Sequence, residues 1–98
     1  MSSNIKAKIN DVLDQHSSHC QYHVDVSHDG VDEDWYPKSF LYDLYVWDGD
    51  TITTYHYENW FTPGDEDAPF EKIESRNAMQ FFKSNICGVR RSDFMTRA

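Results

Sequence analysis

Positive charge is nearly absent from the middle of this chain. Between Asp25 and Glu71 the sequence has thirteen carboxylates and one basic residue, Lys38, a formal charge of −12 over 47 residues. The flanking segments hold the other eight Lys and Arg with four acids, so the 98 residues together carry −8. So little basic surface argues against direct binding to nucleic acid or to an anionic membrane, because both need a positive face that displaces counterions. Cysteine is scarce as well: Cys20 and Cys87 stand far apart without the spacing of a disulfide framework, and in a reducing compartment they read as two free thiols. No apolar run approaches the ~20 residues that cross a bilayer, and Met1-Ser2-Ser3-Asn4 lacks the apolar core of a signal peptide. A cytoplasmic protein is the expectation. A Gly-rich phosphate loop, a nucleophile elbow and a cofactor fingerprint are also missing, so no cofactor is expected.

What the anionic stretch does contain is aromatic surface, including Trp35, Tyr36, Trp47, Trp60 and Phe61. A segment with this much like charge loses folded-state stability by self-repulsion. Solubility or a positively charged partner is the compensation. The length suits one domain spanning residues 1–98 with a single core, and large aromatics supply much burial per residue. A folded chain is expected, not a disordered acidic tail.

Ile5, Ile9, Val12 and Leu13 fall at i, i+4, i+7 and i+8, which predicts an amphipathic helix from about Asn4 to Gln15 with Ser3 or Asn4 as cap. From Cys20 to His28 the period changes to two, with Cys20, Tyr22, Val24 and Val26 on one side, as in a strand with one solvated face. Residues 29–38 form a polar loop. Phe40–Trp47 and Thr51–Glu58 read as strands joined by a hairpin at Asp48-Gly49, whose residue types tolerate positive φ. A second loop covers 59–69, with Pro63-Gly64 suited to a type II turn. Phe70–Glu74 is a candidate fourth strand, and Ser75 a candidate cap for a helix burying Ala78, Phe81, Phe82 and Ile86. Gly88 ends that helical region, and residues 89–98 are a basic tail or an edge strand.

In an antiparallel meander, the loop after the first strand and the loop after the third emerge at the same end of the sheet. Two sequence-distant acidic clusters then form one pole. Asp29, Asp32, Glu33, Asp34 and Trp35 come from the first loop, and Glu58, Trp60, Phe61, Asp65, Glu66 and Asp67 from the end of the third strand and the second loop. These are the candidate partner-binding residues. Such charge also serves solubility alone in many proteins, and Tyr42, Val46, Tyr55 and Tyr57 read as cross-strand core pairs. Trp35, Trp60 and Phe61 are different, because large aromatics placed in loops favour an interface.

Two other chemistries have candidates. On a helix His16, His19, Cys20 and His23 would share one face with ligand spacing for zinc, which makes a small His/Cys metal-binding protein the second reading. The alternation from residue 20 onward opposes it, since Cys20 and His23 point to opposite faces of a strand, and neither CxxC nor HExxH is present. The acidic loops do not match the calcium-loop ligand pattern. A small enzyme is the third reading, with Asp25 and His28, or Asp43 and His56, as general acid and base. With 17 acids and five His among 98 residues, chance alone makes such neighbours, and so small a chain leaves little room for a cleft.

The expected fold is α+β: a small antiparallel sheet of three or four strands in a meander, covered on one face by an N-terminal and a C-terminal helix. The expected role is non-catalytic: the chain inhibits a basic protein, a nuclease or other nucleic-acid-processing enzyme, by putting its acidic pole in the nucleic-acid groove. In size, charge and composition the chain resembles phage-encoded anti-restriction and anti-CRISPR proteins, and the acidic immunity proteins that neutralise nuclease toxins. That resemblance implies a DNA mimic acting in the host cytoplasm and carries over no residue role.

Overall fold

The computed structural model describes residues 2–28, 39–60, 69–84 and 87–97. Helix α1 spans Ser2–Leu13 and is followed by strands β1 (Gln21–His28), β2 (Ser39–Asp48), β3 (Thr51–Trp60) and β4 (Glu71–Asn77). Helix α2 (Ala78–Ser84) and the two-residue strand β5 (Met95–Thr96) complete the order. The strands form one antiparallel sheet, β4-β3-β2-β1-β5. The expected α+β class and meander are present. The meander continues into β4, and the last strand returns to the far edge beside β1, so the described sheet has five strands instead of three or four.

The composition of β2 decides where the helices go. Its large apolar residues occupy both parities, with Leu44 and Val46 pointing one way and Tyr45 and Trp47 the other, so both faces of the strand need cover. Leu44 and Val46 are completely buried with Tyr55 and Tyr57 under Val12 and Leu13 of α1, against which Ile5 and Ile9 pack. On the opposite face Tyr45, Ile52 and Trp47 meet Ala78 and Phe81 of α2, together with Phe82, Val89 and Phe94. Helices α1 and α2 therefore cover opposite faces, which corrects the expectation of one shared face. Burying a side chain of this size stabilises by ~1.5–3 kcal/mol, so a few such contacts anchor each short helix. Trp47 lies edge-on to both Phe82 (5.0 Å) and Phe94 (5.5 Å), which draws the C-terminal segment into this second core.

Several boundaries differ from the sequence reading for local reasons. Helix α1 begins at Ser2, so Ser3 and Asn4 lie in its first turn, and it ends at Leu13, where the Gln15 and His16 amides bond the Val12 and Leu13 carbonyls in tight turns. The hairpin turn falls one residue late. Asp48 pairs with Thr51, leaving Gly49 and Asp50 as the turn residues, with Gly49 at φ 65°, a region glycine enters without a Cβ clash. Strand β4 runs through Ser75, which therefore caps nothing. Asn77 caps α2, its Oδ1 accepting from the Met79 and Gln80 amides at 3.0 and 3.4 Å. Of the C-terminal segment read as a basic tail or an edge strand, only Met95 and Thr96 are strand, pairing with Tyr22 and Gln21; Arg91–Asp93 before them form a 3-10 turn, and Arg97 after them donates to the Asp14 carboxylate. The Pro63-Gly64 turn and Ile86 lie outside the described residues. No helix among the described residues is long and apolar enough to cross a membrane.

Candidate acidic interaction surface

Strand pairing fixes where the two acidic segments attach. His28 pairs with Phe40, and Ser39 pairs with Trp60. The ends of β1 and β3 that lead into residues 29–38 and 61–68 therefore lie at the same end of the sheet. Asp29, Asp32, Glu33, Asp34, Trp35, Phe61, Asp65, Glu66 and Asp67 lie outside the described residues, so Glu58 and the backbone of Trp60 represent the predicted site within them. Trp60 is not a loop residue. Pairing with β2 continues two positions past Glu58, and Trp60 is the last residue of β3.

A row of charged side chains lies across the strands in the half of the sheet nearer that end. Asp25 pairs with Asp43, Asp43 with His56, and His56 with Glu71. Directly paired residues of antiparallel strands share a face, with Cβ atoms ~4.5–5.5 Å apart. All four positions lie on the α2 face, beyond the part that α2 covers, and Glu58, two residues from His56, joins them. Their carboxylates stay wet: the Asp25, Asp43 and Glu58 side chains are 49%, 40% and 41% exposed.

Two carboxylates placed directly opposite each other repel. Imidazoles offset this at both sides of the Asp25–Asp43 pair. His23 Nε2 lies 2.8 Å from Asp25 Oδ1, and its ring stacks on Tyr45. His56 Nδ1 lies 2.8 Å from Asp43 Oδ1, and its Nε2 is 3.3 Å from Glu58 Oε1. Protonated, the ring donates to both acids; neutral, it can donate to only one. The hydrogen bond to Asp43 accordingly raises the His56 pKa above its ordinary 6.5, with Glu58 adding to the rise and partial burial opposing it. Tyr45 marks the border with the apolar half of the face. Burial pushes its phenol far above the usual value, and the nearby Cys87, Asp43 and Asp25 add to the effect.

Of the acid–base pairs expected from sequence, Asp43 and His56 do meet. Asp25 instead takes His23 as its partner, because positions 25 and 28 have opposite parity and His28 lies on the α1 face. The four residues with zinc-like spacing are not assembled. His16 follows α1 and bonds Asp48 Oδ2 (3.1 Å) and the Tyr55 hydroxyl (2.8 Å), His19 is exposed, Cys20 is buried ahead of β1, and His23 lies on the α2 face. Burial raises the Cys20 thiol pKa, which disfavours the thiolate that a metal needs. Among the described residues no three His, Cys, Asp or Glu are grouped as a metal ion would require.

Compared with family models, curated proteins and solved structures, the chain finds no match.

Proposed function

We propose that the protein binds and inhibits a basic, nucleic-acid-processing protein, such as a nuclease, by presenting carboxylates to a groove built for phosphates. The observation that carries this reading is placement: Asp25, Asp43 and Glu71, with Glu58 beside them, span four strands in the half of the sheet nearer the end where both acidic segments attach. Carboxylates on alternate strand positions are ~6.6 Å apart and those on neighbouring strands ~4.8 Å, while phosphates advance ~3.4 Å per nucleotide along each strand. An array of this density offers Lys and Arg a similar choice of acceptors without matching any one register. The role is stoichiometric and needs no cofactor, as for the acidic phage and immunity proteins it resembles in charge.

Such binding depends on salt, because screening shortens from ~8 Å at physiological ionic strength to ~3 Å at 1 M. The tagged protein, used to capture its partner from host lysate, should retain a basic nucleic-acid-binding protein at low salt. It should release that protein as salt rises and when duplex DNA or RNA is added. Capture indifferent to both additions would overturn the proposal and indicate an apolar interface.

A further inference from the structure

The geometry points to a second, separate site: we propose that the cavity between α1 and the β3–β4 margin binds a small aromatic anion, a planar ring carrying a phosphate or carboxylate. The cavity holds about 350 Å³, within the ~300–1,000 Å³ of small-molecule sites. It lies on the α1 face, away from the acidic row. In a chain with nine Lys and Arg, two lysines line this one cavity, Lys8 from α1 and Lys72 from β4. Lys72 pairs directly with Tyr55 of β3, and the Lys8 ammonium sits 5.0 Å from the centre of the Tyr57 ring.

The irregularity of β4 leaves this space unfilled. Thr54 pairs with Glu74 and Tyr55 with Lys72, so Ile73 is an extra residue in the ladder and is 56% exposed. The apolar side chain that would otherwise close the margin is turned out, and a lysine takes its place. Beneath, the floor is buried and apolar, made by Val12, Tyr55 and Phe70. Asp11, three residues on from Lys8 along α1, and Gln15, in the turn after the helix with its Nε2 donating to the Asp11 carbonyl at 3.3 Å, complete the lining. Each part has a chemical use: the two ammonium groups hold an anionic head, the floor takes a ring, and the Asp11 carboxylate and Gln15 amide meet polar atoms on the ring edge. With a net charge of −8 the chain repels anions at long range, so the ring contact must supply part of the affinity. A bare inorganic anion lacks it.

Titrating the 15N-labelled full chain separately with inorganic phosphate, AMP and 4-hydroxyphenylacetate tests this. Saturable shifts at the amides of Lys8, Gln15, Tyr55 and Lys72 are expected with at least one of the two aromatic probes, and at least tenfold weaker binding with phosphate. The stronger aromatic probe identifies whether the head group is a phosphate or a carboxylate. Lys72→Glu, at an exposed position, and Lys8→Met, which keeps an aliphatic stem over Tyr57, should each weaken binding tenfold or more. Thermal melting identifies any variant that does not fold, and Lys72→Glu alone then decides. No saturable shift with either aromatic probe, phosphate binding as tightly as both, or unchanged affinity in the folded variants would each overturn the proposal.

Discussion

Asp48 closes β2 and also holds the connection between α1 and β1. Its Oδ2 accepts from the His16 ring and from the Ser17 amide, both at 3.1 Å, and the other nitrogen of His16 meets the Tyr55 hydroxyl. The Ser17 amide, and after it His16, keeps the Asp48 carboxyl below its ordinary pKa of 3.8. This role for His16 cannot be seen from spacing, because positions 16 to 23 share a face only if the helix continues, and the chain leaves the helix at Leu13. The bonded partner is 32 residues away in sequence, on the hairpin. Asp48→Ala removes the acceptor and leaves His16 and Ser17 seeking water, so it should destabilise by about 1–2 kcal/mol, toward the low end because the carboxylate is partly exposed. Because the folded pKa lies below the unfolded one, the contribution is complete above about pH 4 and disappears as pH falls through the folded value. Denaturant titrations of wild type and variant should therefore differ at pH 7 and converge in acid. An equal gap at both pH values would remove Asp48 ionisation from the account.

At the scale of elements, the strands are legible where a periodic signal is long enough. β1, the hairpin of β2 and β3, and the helical stripe of α1 all follow from it. The opposite placement of the helices was also open to reading, since Leu44, Tyr45, Val46 and Trp47 leave no polar face on that half of β2, a pattern that calls for cover on both sides. β5 offers two residues, too few for any period, and β4 hides its register behind the Ile73 irregularity. The charged row lies between these cases: Asp43 opposite His56 follows from the hairpin, but Asp25 with His23 needs the β1 register as well. His56 in this row allows a prediction with two opposed trends. Its folded pKa is raised, so its contribution to stability is complete below pH 6.5 and is lost as pH rises through the folded value. Over the same range the ring loses a positive charge, the surface becomes more anionic, and affinity for a basic partner should rise. Melting temperature and partner affinity measured from pH 6.5 upward should thus move in opposite directions, and His56→Asn should flatten both. Parallel trends would mean that the row does not contact the partner.

For the whole molecule, the formal charge of −12 between Asp25 and Glu71 is a stability burden that regular packing does not require. The two acidic segments are legible in composition, and their attachment at one end follows from the meander, whereas their joint action is a matter of energetics that no pattern encodes. Changing Asp32, Glu33 and Asp34 to Asn or Gln, and separately Asp65, Glu66 and Asp67, should weaken partner binding while leaving the fold as stable or slightly more so, since repulsion is relieved. If both segments face one basic groove, the two sets should be non-additive, as neighbours sharing a partner are. Trp60, at the end of β3 beside the attachment points, should cost ~2 kcal/mol or more of binding on change to Ala if it anchors the same interface. Calorimetric binding and thermal melting of wild type, each set and the combination complete the cycle. Independent effects of the two sets, or melting that falls in step with affinity, would reduce the acidic pole to solvated surface.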